Sequence, residues 1–135
     1  MKIKFKSIVF QNNNEKEIEF SAPVELTKEG EFQVLSFYEP SNNIANRIEI
    51  SNQRINIFAG PTTLYIILDP NQSALNVFEL QTPEGIGREM DFYTQIIKHE
   101  FDYGKQYFFE YELFQKQSDK KEVFGNFKIY LTLEN

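Results

Sequence analysis

Apolar and polar residues alternate with a period of two along most of this chain. Ile18, Phe20, Ala22, Val24 and Leu26 interleave with Glu17, Glu19, Ser21, Pro23 and Glu25. Further on, Tyr107, Phe109, Tyr111 and Leu113 interleave with Phe108, Glu110, Glu112 and Phe114, and Phe127, Ile129, Leu131 and Leu133 with Lys128, Tyr130, Thr132 and Glu134. Successive side chains of a strand point to opposite faces, so this alternation marks one enclosed face and one wet one. No window of similar length carries the i, i+3, i+4, i+7 spacing of an amphipathic helix.

Turn residues punctuate these runs. Asn12-Asn13-Asn14, Lys28-Glu29-Gly30, Pro40-Ser41-Asn42-Asn43, Ser51-Asn52-Gln53, Gly60-Pro61, Asp69-Pro70-Asn71-Gln72, Thr82-Pro83-Glu84-Gly85, Asp102-Tyr103-Gly104 and Ser118-Asp119-Lys120 separate about ten strands. Each connection suits an antiparallel hairpin, and none holds a crossover helix. A meander of that many strands closes on itself or splits into two sheets. Closure removes exposed edges, so an all-β, single antiparallel up-and-down β-barrel of about 8–10 strands is the expected architecture, with a sandwich second. With no linker, low-complexity tract or internal repeat, one barrel domain is expected over residues 1–135.

Composition agrees and narrows the function. Fourteen Phe, seven Tyr and fourteen Ile against four Ala favour pleated, half-buried surfaces. A net charge of -6 opposes binding to a phosphate backbone, which needs clustered Lys and Arg. The nearest clusters, Lys2/Lys4/Lys6 and Lys120-Lys121, read as solvated strand edges. The longest apolar run, Leu64-Tyr65-Ile66-Ile67-Leu68, is far short of a membrane span, and the Lys-interrupted first strand lacks the apolar stretch of a signal peptide. A cytoplasmic location is therefore expected. The absence of Cys removes thiolate nucleophiles, disulfides and Cys zinc sites, and no cofactor is implied.

Candidate chemistry is sparse. His99 is the lone histidine; it has no Gly-x-Ser-x-Gly elbow to serve, and His99-Glu100 does not continue to a second zinc-binding histidine. Gly85-Ile86-Gly87 lacks the third glycine and the following helix of a phosphate loop. Glu110 and Glu112 alternate away from the ring-bearing face of their strand, which puts them in water, where neither carboxyl acquires a catalytic pKa. Asn71-Gln72-Ser73 reads as an exposed turn. No catalytic and no metal-ligating residue is expected, and the chain is expected not to be an enzyme.

The motif order resembles the YwiB-like family of uncharacterised bacterial calycin-type, lipocalin-like β-barrels. The residues that carry the likeness are Glu17-Ile18-Glu19-Phe20 with Val24-Glu25-Leu26, Ser36-Phe37-Tyr38-Glu39, Leu80-Gln81-Thr82-Pro83-Glu84-Gly85, and Phe109-Glu110-Tyr111-Glu112-Leu113 followed by Gly125-Asn126-Phe127-Lys128-Ile129. Glu84 stands where the family turn carries an aromatic. The resemblance implies a barrel along the whole chain but no established activity, and fold alone licenses none.

The remaining expectation is a non-enzymatic binding module for a small apolar or amphipathic molecule. By parity Arg88 shares a face with Ile86, Met90, Phe92, Thr94 and Ile96, where a guanidinium at a barrel mouth would clamp a carboxylate or phosphate. Arg88, Thr94 and Tyr111 are the candidate ligand contacts. Large inward residues, Phe20, Phe32, Phe92, Phe109, Tyr111 and Phe127, point to a filled interior or a shallow pocket at one end. The alternative is a packed barrel that recognises another protein through an exposed aromatic patch around Phe37, Tyr38 and Tyr103.

Overall fold

The computed structural model describes residues 1–81, 85 and 87–135, the side chains of Leu80, Gln81 and Arg88 excepted. The described strands are β1 (Lys2–Gln11), β2 (Asn14–Glu29), β3 (Phe32–Glu39), β4 (Ile44–Ile50), β5 (Arg54–Ala59), β6 (Thr62–Ile67), β7 (Ser73–Gln81), β8 (Gly87–Asp102), β9 (Gln106–Gln117) and β10 (Lys120–Glu134). They form one antiparallel sheet in the order β6-β5-β4-β3-β2-β1-β10-β9-β8-β7, an up-and-down meander curled into a nearly closed barrel. The hairpins fall at the turn signals. Asn12 and Asn13 both take positive φ, 53° and 62°, the backbone that a tight two-residue hairpin demands and that Asn tolerates.

Consecutive connections reverse the chain, so the turns alternate between two ends of the barrel. The β1–β2, β3–β4, β5–β6, β7–β8 and β9–β10 connections share one end, called the mouth below. The other end carries the β8–β9 hairpin, where the Gly104 amide donates to Tyr107 Oη at 2.8 Å and that hydroxyl donates to Gln33 Oε1 of β3. Tyr107 thus ties two distant strands together beneath the core.

The alternation predicted from sequence sets the inner wall. Ile3, Leu35, Ile50, Ile55, Ile66, Phe109 and Leu131 are at most 1% exposed. Fully burying one such side chain contributes roughly 1.5–3 kcal/mol, so this layer is the principal source of stability. Two sequence expectations need correction. Phe32 was expected to face inward, but Gln33 pairs with Ile50 and Leu35 with Ile48, which puts Phe32 on the outer parity together with Val34. Lys2, Lys4 and Lys6 lie on no edge: β1 pairs with β10 on one side and β2 on the other. Its lysines pair across the outer wall, Lys4 with Glu19 at 3.2 Å and Lys6 with Glu17 at 3.3 Å, exposed contacts of about 0–1 kcal/mol each.

Nine of the ten junctions around the wall are backbone ladders. The tenth, between β6 and β7, is a seam bridged by side chains. The Tyr65 amide donates to Asn76 Oδ1 at 2.6 Å, Asn76 Nδ2 donates to the Tyr65 carbonyl at 3.1 Å, and Thr94 Oγ1 donates to the same carbonyl at 2.6 Å. The Asn76 amide therefore stands in for a peptide group of the missing neighbour. Asn76 and Thr94 are 2% and 1% exposed, as buried polar groups with complete partners are.

Candidate functional site

The inner wall is not uniformly sealed. Phe78, Phe92, Leu113 and Phe127 in its upper part are half-buried, and so are Phe5 and Phe20, which pair in register beside the fully buried Leu131. Ile18, on the same parity in β2, is 43% exposed. The cause lies in strand length. β2 pairs with β1 along 14–23 but with β3 only along 24–29, so the tall walls of β1, β2 and β10 rise above the short strands β3 to β6. Among the described residues, β3 to β6 leave their upper inner faces uncovered.

Aromatic rings line this opening in three groups. Phe5 and Phe20 stack at 4.8 Å and 16°, with Phe37 tilted against both at 6.2 and 6.0 Å. Phe92 takes edge contacts from Phe78 and Phe124, each at 5.1 Å. Tyr111 lies between them, parallel to Phe127 at 5.0 Å and 7°, and stacked on Phe109 at 6.2 Å. A bulge helps to build the second group: the β9–β10 register shifts between Val123 and Gly125, which frees Phe124 to meet Phe92. Gly125 is itself a close approach, since a Cβ there would come within 3.0 Å of the Phe127 ring.

Each candidate ligand contact has a definite place. Tyr111 is 6% exposed on the inner wall, and burial pushes its phenol above the ordinary range. Thr94 faces inward too, but its hydroxyl is engaged at the seam. The backbone of Arg88 pairs with Leu80 in the β7–β8 hairpin, beside the mouth; its side chain lies outside the described residues. Thr82, Pro83, Glu84 and Ile86, and with them the turn motif and the Gly85-Ile86-Gly87 reading, also fall outside. Sequence reasoning missed Phe5, Phe78 and Phe124 as ring partners. Phe5 and Phe78 follow the simple alternation; Phe124 needed knowledge of the bulge.

The buried Tyr111 phenol carries a consequence for stability against pH. The unfolded chain ionises its tyrosines near pH 10, whereas the folded barrel holds this one protonated to higher pH. Its contribution is complete below pH 10 and is lost as pH rises through the folded value. Tyr111→Phe is expected to raise the midpoint of alkaline unfolding, followed by circular dichroism; an unchanged midpoint would show that the phenol ionises freely in the fold.

The other candidate groups sit elsewhere. Glu110 and Glu112 are not free in water as expected: both are half-buried, with Glu110 accepting from Asn126 Nδ2 at 3.0 Å and Glu112 paired with Lys121. His99 is exposed, 5.0 Å from the Phe101 ring. Among the described residues no group of three or more acidic, His or Cys side chains is placed to hold a metal. Phe37, Tyr38 and Tyr103 form no common patch. Phe37 is 4% exposed inside, whereas the exposed Tyr38 and Tyr103 stand at opposite ends of the barrel. No described helix is long and apolar enough to cross a membrane.

Comparison with known proteins agrees with this architecture. The crystal structure of the ywiB protein from Bacillus subtilis matches with a TM-score of 0.64, covering 99% of this chain and 91% of that one at 12% identity, a likeness of fold alone. An uncharacterized protein of Mycoplasmopsis pulmonis (strain UAB CTIP) is 34% identical over 80 residues, 59% of this chain and 64% of that protein. The match thus spans less than two thirds of that relative's length. A family model described as a domain of unknown function, DUF1934, matches residues 3–130. The chain accordingly belongs to the DUF1934 family, in keeping with its resemblance to YwiB-like barrels.

Proposed function

We propose that this protein is a non-enzymatic binding module that takes a small apolar or amphipathic molecule into the mouth of its barrel, in the cytoplasm. The observation that carries this reading is the set of inward rings left half-buried, Phe5, Phe20, Phe92 and Phe127, on a wall whose Phe109 is 0% exposed. Half-exposed inward rings are an apolar surface that a guest of modest size covers favourably, at roughly 25 cal/mol per Å² removed from water. Sealed floor and open top limit the guest to a shallow site rather than a deep lipid chamber.

The apolar dye diphenylhexatriene tests this directly. Its fluorescence is expected to rise on mixing with the wild-type protein and to be lost in Phe92→Ser, which alters the mouth. It is expected to be retained in Leu75→Asp, which alters the outer wall. Loss in Leu75→Asp with retention in Phe92→Ser would move the site outside.

A second reading, recognition of a protein by the outer wall, draws on one cross-strand row. Leu75, Tyr93, Phe114 and Val123 pair in register across β7 to β10, with Leu75 and Val123 each 51% exposed. The Phe114 ring is already covered by the Lys121 ammonium at 4.4 Å, so less of this row is open than its composition suggests.

A further inference from the structure

We propose that the guest is a neutral, flat ring system bearing a hydrogen-bond acceptor oxygen, which the Tyr111 hydroxyl takes at the base of the mouth. This rests on the binding reading above and specifies its ligand class.

Three features select that class. The first is shape. Phe127 lies within 7° of parallel to the buried Tyr111 and Phe5 within 16° of Phe20, so the half-buried Phe127, Phe5 and Phe20 present planar rings on which another ring stacks. The second is charge. Below the charged rim residues Lys16, Lys120 and Glu122, the inward side chains of the long walls among the described residues are neutral: Phe5, Ser7 and Val9 on β1, Leu113 on β9, Phe127 and Ile129 on β10. A carboxylate carried down to Tyr111 would lose its hydration without gaining a cation among these residues, and a buried charge without a partner is strongly disfavoured. The third is the phenol. Tyr111 is more than nine-tenths buried, and burial is the cause that raises its pKa, with no hydrogen bond from a described residue entering. Like any tyrosine hydroxyl, it is a protonated donor at neutral pH. A carbonyl or ether oxygen supplies the acceptor that such a donor requires. Among the other inward hydroxyls, Thr94 is already engaged at the seam and Tyr107 at the opposite end, while Ser7 sits on β1 in register with Ile129 and Ile18.

The test uses three fluorescent probes on the wild-type protein and Tyr111→Phe: a neutral dialkylaminocoumarin, its carboxylate derivative, and diphenylhexatriene. The wild type is expected to bind the neutral coumarin at least about tenfold more tightly than its carboxylate at neutral pH. Tyr111→Phe is expected to weaken the neutral coumarin by about tenfold, the loss of one hydrogen bond, while changing the hydrocarbon by less than about twofold. Equal effects of Tyr111→Phe on coumarin and hydrocarbon, or tighter binding of the carboxylate, would overturn the proposal and leave the binding reading standing. Failure of all three probes to bind the wild type would remove the binding reading, and this inference with it. The substitution deletes one oxygen and keeps the ring stack; a cooperative melt confirms that each variant is folded.

Discussion

Phe109→Ala is expected to destabilise the barrel by about 3–5 kcal/mol, the range for truncating a buried Phe. The side chain is 0% exposed, within stacking distance of Tyr111, and in register with Ile129 and His99. Truncation removes its transfer energy and leaves a void that strand backbones fixed by ladders on both sides cannot close. A fall in melting temperature on the order of 10–20 °C follows for a domain of this size. A neutral result would mean that the enclosed face of β9 has been misassigned.

Asn76→Asp is expected to make the barrel's stability switch with pH. The carboxylate still accepts from the Tyr65 amide but cannot donate to the Tyr65 carbonyl, as the Asn76 amide does at 3.1 Å. It would also be a buried charge at a position 2% exposed, beside the Ala74 carbonyl at 3.3 Å. Burial raises the folded pKa of the introduced acid above its unfolded value near 4. The variant therefore retains its seam below about pH 4 and loses stability as pH rises through the folded value. At neutral pH a deficit of about 2–4 kcal/mol is expected, the cost of one mispaired buried polar group or more. Asn76→Ala gives a comparable loss that does not depend on pH. Parallel melting curves of Asn76→Asp and the wild type across pH 4–8 would contradict the role of this amide as the closure of the wall.

The architecture was legible because its signal is repeated. Ten alternating runs, each bounded by Asn, Gly, Pro or Asp turns, leave few options beyond a closed meander, and a local error in one run does not change that outcome. Details that depend on register were not legible. Parity counted along β8 from Met90 to Ile96 holds because the irregularity lies beyond it, between Ile96 and Lys98. Parity near Phe124 fails because the bulge there inserts a residue. Phe32 was misplaced for a related reason: Val34 and Leu35 are adjacent and both fully buried, so apolarity does not tell the inner face from the outer.

The seam was invisible for a different reason. Asp69-Pro70-Asn71-Gln72 looks like any other hairpin turn, and a single Asn in an apolar run reads as a weak point of a strand. Nothing in the chain shows that its amide replaces a ladder. The candidate site was partly legible. Tyr111 and Phe127 were read as inward, but their position relative to the open end depends on strand tilt and unequal wall heights, which appear only once the strands are paired.

Native mass spectrometry of the gently purified chain, repeated after incubation with the neutral coumarin, tests the central claim most directly. A single bound molecule that leaves on collisional activation in the wild type, and that is absent in Phe92→Ser, is the predicted result. Bare chain under every condition would contradict it.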